Sequence, residues 1–113
     1  MSKNDYINEC SDMNFYEFIE YSNREIDSLI RAIKGCYDIE EKENMYDLIH
    51  FIKNCIFCVS NNGTRPATVE DVDFAKIQVL CKSIKLNKNY LYMPLHSVSS
   101  IWAACLRCSC QTT

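Results

Sequence analysis

Phe15, Ile19, Ser22, Ile26, Leu29 and Ile33 fall three or four residues apart, and Phe18 and Ile30 widen the stripe they form. An α-helix returns to one face about every 3.6 residues, whereas a strand changes face at each residue, so this spacing commits residues 14–34 to an amphipathic helix. Glu17, Glu20, Arg24, Asp27 and Arg31 fall mostly off the stripe, toward water. Asn14 and Glu17 have the spacing of a capping box, in which each side chain accepts the orphan backbone amide of the other. Lys34 suits the negative end of the helix dipole, and Gly35 offers a left-handed stop.

Such a helix needs partners to cover its apolar face, and the sequence supplies them at the same period. Met45, Leu48, Ile49, Ile52, Cys55, Ile56 and Val59 predict a second helix over 39–60, with Asp38, Glu40, Glu41 and Glu43 at its amide-rich start and Asn61-Asn62-Gly63 as its turn. The connector 64–67 holds Pro66, after which Thr68-Val69-Glu70-Asp71 reads as a capped start to a helix ending near Leu86. Val72, Ala75, Val79 and Ser83 form one stripe of that helix, with Phe74, Ile77, Cys81 and Ile84 beside it, which predicts contact with more than one neighbour. Beyond Asn87-Lys88-Asn89 and Pro94, Leu95, Val98, Ile101, Trp102 and Cys105 predict a last helix over roughly 95–108, with Trp102 as a core anchor.

Only two glycines and two prolines occur in 113 residues, too few for the tight turns of a β-sandwich. The expected fold is therefore all-α: a compact four-helix bundle or orthogonal helical array. A single helical domain over 13–110 is expected, preceded by a flexible arm at 1–12, in which Tyr6, Ile7 and Cys10 offer docking points, and followed by a tail at 111–113.

The pattern closest to chemistry is Cys55-x-x-Cys58 followed, after a gap of 46 residues, by Cys105-x-x-Cys108-x-Cys110. Two such units suit a tetrahedral zinc site built from Cys55, Cys58, Cys105 and either Cys108 or Cys110, with His50 or His96 as substitute ligands. They also suit a disulfide, or reduced thiols used as small apolar residues, which is the expected role of Cys10, Cys36 and Cys81. No cofactor is expected beyond this optional zinc. The units lack the Gly, Pro and polar residues that shape metal knuckles. Cys55 and Cys58 fall at a helix C-terminal end flanked by Ile56 and Phe57, where thiol pKa rises, against a thiol–disulfide oxidoreductase.

No phosphate-binding glycine loop, H-E-x-x-H arrangement or serine nucleophile elbow is present, so a noncatalytic protein is expected. Charge is uneven: residues 1–50 carry 12 acids against 5 bases, and residues 51–113 carry 3 acids against 7 bases. Lys76, Lys82, Lys85, Lys88, Arg65 and Arg107 are the candidate phosphate contacts, but the absence of contiguous basic runs argues against nucleic acid as the partner. No apolar stretch is long enough to span a membrane, and the first residues lack a signal-peptide core, so an intracellular, cytoplasmic or nuclear protein is expected. Abundant Asn, Lys, Ile and Tyr match the bias of an AT-rich gene such as that of a virus or parasite. The leading functional expectation is an interaction or adaptor protein, self-associating or binding a protein partner through a helical groove, with Tyr16, Tyr21, Tyr46, Tyr90 and Tyr92 as aromatic surface. The alternative is a zinc-stabilised regulatory or nucleic-acid-associated protein.

Overall fold

The structure, a computed structural model, describes residues 1–87, which form four α-helices and, among those residues, no strand. They are α1 (Lys3–Cys10), α2 (Phe15–Lys34), α3 (Ile39–Ser60) and α4 (Asp71–Leu86). The all-α expectation holds, and α2, α3 and α4 are three of the expected helices. The expected helix over 95–108 and the tail 111–113 lie outside the described residues.

α1 corrects the expected loose arm. Ser2 caps it, accepting from the Asp5 amide at 3.1 Å while the Asp5 carboxylate accepts the Ser2 amide at 3.1 Å. A helix of eight residues gains little from its own hydrogen bonds, so docking must hold it. Tyr6 and Cys10, four residues apart and therefore on one face, are both fully buried. The Tyr6 ring stacks on Tyr21 of α2 at 6.1 Å between centroids and meets Phe51 of α3 edge-on at 6.2 Å. Its hydroxyl hydrogen-bonds the buried Ser22 hydroxyl, giving the core's only buried polar side chain among the described residues a partner.

Lys3 adds a charged tie. Its Nζ lies 3.0 Å from Asp73 of α4 and 3.0 Å from Asp47 of α3, and 5.5 Å from the Phe51 ring centre. Burial opposes the ammonium, but the hydrogen bonds and charges of Asp73 and Asp47 outweigh that cost and leave its pKa raised. The tie is therefore intact throughout neutral pH and is lost only in strong alkali, as the ammonium deprotonates. Lys3→Met is expected to destabilise the protein by about 1–2 kcal/mol, since it strands the mostly covered Asp73 carboxylate. A lowered urea midpoint at unchanged slope would register this.

α2 begins as its sequence dictates: Asn14 Oδ1 accepts the Glu17 amide at 2.9 Å and Glu17 Oε1 accepts the Asn14 amide at 3.0 Å. Its end differs in detail, because Gly35 has φ −99° and is not left-handed. α3 closes with the left-handed pair instead: Asn62 at φ 58° and Gly63 at φ 88°, the Gly63 amide donating to the Cys58 carbonyl at 2.8 Å. α4 starts at Asp71, later than the Thr68 cap implies. Arg65 provides the reason. Its guanidinium donates to the Val69 carbonyl at 2.9 Å and to Asp71 at 2.6 Å, and sits 4.9 Å from the Phe74 ring, holding 65–71 as a braced turn with Val69 in the core.

α3 packs against α2 and α4, and α4 also meets α1 and α2. The core joins Tyr6, Cys10, Phe18, Leu48, Phe51, Ile52, Cys55, Cys58, Val69, Ile77, Leu80 and Ile84. α4 therefore buries Ile77, Leu80 and Ile84, and the Val72–Val79 stripe stands outward, 63% and 60% exposed. At the far end Asn87 donates to the carbonyls of Ser11 at 3.2 Å and Met13 at 3.1 Å, fastening the end of α4 to the α1–α2 turn.

Candidate functional site

Of the cysteine motif, one half lies among the described residues. Cys55 and Cys58 occupy the last turns of α3, and both are fully buried. Burial pushes the Cys55 thiol far up, and the neighbouring Cys10, Cys58 and Cys81 add to the shift. Cys10 is pushed up to about 12 by burial, partly offset by its hydrogen bond with Tyr6. Burial also raises Cys58, helped by Cys81. These three thiols stay protonated at neutral pH, the reverse of the low-pKa thiolate that nucleophilic or exchange chemistry uses.

His50 is exposed on α3 whereas Cys55 is enclosed, so the two do not share a site. Among the described residues no group of three or more His, Cys, Asp or Glu side chains is placed to hold a metal ion. The other half of the expected zinc set, Cys105, Cys108, Cys110 and His96, lies outside those residues. Cys36 stands at the α2–α3 turn, its thiol 3.3 Å from Glu41 and 3.5 Å from the Asp38 carbonyl. The pairing that the sequence does not announce is Cys58 with Cys81 of α4, whose sulfurs lie 3.7 Å apart.

Four of the six basic candidates lie among the described residues. Arg65 is committed to the turn before α4, Lys76 is half-buried, and Lys88 and Arg107 lie outside the described residues. Only Lys82 and Lys85 come together, and they do so at a cleft of about 430 Å³.

Three elements build that cleft. Phe15 and Tyr16 come from the first turn of α2, Val59, Asn62 and Gly63 from the end of α3 and its turn, and Gln78, Cys81, Lys82, Ile84 and Lys85 from α4. The Phe15 and Tyr16 rings meet edge-to-face at 6.0 Å, and Tyr16 is 41% exposed. Among the described residues no carboxylate lines the cleft, so the charged groups on its apolar wall are both positive. Comparison with family models, with curated proteins and with solved structures finds no match. The site must be read from its own chemistry.

An apolar, partly open cleft of this size has room for a few side chains, and its two ammonium groups favour negative over positive charge beside them. Of the expected aromatic surface, Tyr16 lines the cleft, Tyr46 is 55% exposed elsewhere, Tyr21 is stacked on Tyr6, and Tyr90 and Tyr92 lie outside the described residues. No helix among the described residues is long and apolar enough to cross a membrane.

Proposed function

We propose that this chain is a noncatalytic interaction protein that receives an acidic amphipathic helix of a partner protein in the cleft between α2, α3 and α4. The observation that carries this reading is the combination of an apolar wall, Phe15, Tyr16, Val59 and Ile84, with a rim of Lys82 and Lys85 and, among the described residues, no carboxylate. A helix that presents apolar residues at spacings of three and four, with Glu or Asp on the flanking face, satisfies both parts. Residues 88–113 contain no Asp or Glu, so their side chains offer no carboxylate to the lysines. Charge complementarity therefore favours a partner over the chain's own C-terminal segment.

Three apolar anchors at about 1.5–3 kcal/mol each, less the ordering of the helix, give a dissociation constant on the order of 10 μM for an unoptimised sequence. The probe is a fluorescein-labelled amphipathic peptide with Leu at i, i+4 and i+7 and Glu along the adjoining face, titrated with the full chain and followed by anisotropy and amide chemical shifts. Binding that perturbs Val59, Cys81 and Ile84 is expected. Lys82→Glu with Lys85→Glu should weaken it at least tenfold, with a lysine-faced control peptide showing the reverse preference.

Absence of binding, or binding indifferent to the charge reversal, contradicts the proposal. A second copy is the competing occupant, because Tyr37 and Ile39 are 97% and 73% exposed beside Asp38, Glu40 and Glu41. Sedimentation equilibrium of the chain alone decides that case: self-association abolished by the same charge reversal would reassign the cleft to it.

A further inference from the structure

We propose that Cys58 and Cys81 form an oxidisable pair, converted to an intrachain disulfide by an anionic small-molecule disulfide of the glutathione class. The two sulfurs lie 3.7 Å apart across the α3–α4 contact, joining residues 23 apart in sequence. Both thiols are free. A disulfide has a sulfur–sulfur length of about 2.0 Å, so the proposal requires the atoms to close by about 1.7 Å through side-chain rotation and a small shift of the two helices.

The two cysteines have unlike access, and that difference fixes the order of events. Cys58 is fully buried. Cys81 is half-buried and lines the same cleft as Lys82 and Lys85, so an incoming disulfide that carries carboxylates is drawn by two positive charges to the cleft that holds Cys81. The Cys81 thiolate attacks one sulfur of the small disulfide, forming a mixed disulfide and expelling one small thiolate, which takes up the proton Cys81 has lost. The Cys58 thiolate then attacks the Cys81 sulfur, forming the Cys58–Cys81 bond and expelling the second small thiolate, which takes up the Cys58 proton. Two protein thiols are oxidised and one small disulfide is reduced to two thiols, so atoms and electrons balance.

The second step draws on a thiol that burial holds protonated. Closure is accordingly slow at neutral pH and accelerates about tenfold per pH unit on the acid side of that thiol's titration. The reaction is a stoichiometric modification, not turnover. It pins the last turns of α3 to α4 along one wall of the cleft, whatever occupies that cleft.

The full chain, reduced and freed of reductant, is incubated anaerobically with oxidised glutathione, quenched in acid and mapped by non-reducing peptide mass spectrometry. A Cys58–Cys81 peptide, lighter by two hydrogen atoms than the separate pair, is expected as the main intrachain bridge, with closure about tenfold faster at pH 8.5 than at pH 7.5. Cys58→Ser should accumulate glutathione on Cys81, and Cys81→Ser should leave Cys58 unmodified while the helical circular dichroism persists. A main bridge joining any other cysteines overturns the proposal, as does Cys58 reacting at an undiminished rate in Cys81→Ser. A map of the wild-type chain in which Cys58 and Cys81 both remain free thiols also overturns it. The wild-type map decides the pairing even where a variant fails to fold.

Discussion

Replacing Tyr6 by alanine will destabilise the protein by about 3–5 kcal/mol, and deleting residues 1–12 will abolish the cooperative fold. Tyr6 is fully buried between Tyr21 and Phe51, so its loss opens a cavity where three helices meet. Ser22, fully buried on α2, loses its hydroxyl partner at the same time. The deletion removes more: Cys10 from the core, and the Lys3 tie to Asp47 and Asp73. Domains of this size are stable by only about 5–15 kcal/mol, so these combined losses exceed what the remaining three helices can withstand. Tyr6→Phe separates the contributions, keeping the ring and removing only the hydroxyl with its hydrogen bonds to Ser22 and Cys10, for a smaller loss of about 1–3 kcal/mol. Urea unfolding followed by circular dichroism measures all three. A truncated chain that unfolds at the same urea concentration as the full chain would show that α1 is dispensable.

Raising the pH from 7.5 to 10.5 in the presence of a phosphine reductant is expected to unfold the protein. Cys10, Cys55 and Cys58 are buried, and burial raises the pKa of each. Unfolding frees them to ionise near their ordinary value of about 8.5. Above that pH the unfolded chain binds fewer protons than the native one, so stability falls as pH rises; below it the three thiols contribute fully and the dependence vanishes. Each thiol removes about 1.4 kcal/mol per pH unit, or about 4 kcal/mol per unit for the three, a slope that consumes typical domain stability within two units. Tyr6, whose hydroxyl burial also raises, and Lys3 steepen the fall at the alkaline end. Cys55→Ala should reduce the slope by about one third. Equal stability at pH 7.5 and pH 10 would mean that these sulfurs reach water.

The same residues explain which parts of the fold were readable from sequence. α2 and α3 were legible because each carries many apolar positions at helical spacing, and the Asn14–Glu17 box marks where α2 begins. α1 was not, because eight residues with three apolar ones carry too little periodicity to compete with the polar composition of the arm. Its signal was nonetheless present: Ser2 and Asp5 at capping-box spacing, followed by Tyr6 and Cys10 one turn apart. In α4 the pattern offered two adjacent stripes, and packing against α1 and α3 chose Ile77 and Ile84 of one over Val72 and Val79 of the other, and also buried Leu80, which belongs to neither stripe. Periodicity ranks faces by apolarity; only the neighbours decide between two similar ones.

The site was less legible than the fold. Cys55 and Cys58 share a motif spacing along the chain, yet among the described residues the thiol that meets Cys58 is that of Cys81, on another helix. The cleft draws on α2, the α3 turn and α4, which no local motif links. Lys82 and Lys85 entered the reading as phosphate contacts, and the fold gives them an apolar wall instead of a continuous basic stripe. Arg65, read the same way, is spent on bracing the turn before α4.

The described cysteines of α1 and α3 build the interior of a helical bundle. Residue-resolved alkylation of the native, reduced chain at neutral pH tests it most directly. Cys36 and Cys81 should be modified first, while Cys10, Cys55 and Cys58 react only as fast as the protein opens and therefore slow in step with added stability. Alkylation of Cys55 or Cys58 as rapid as that of Cys36 would contradict the account.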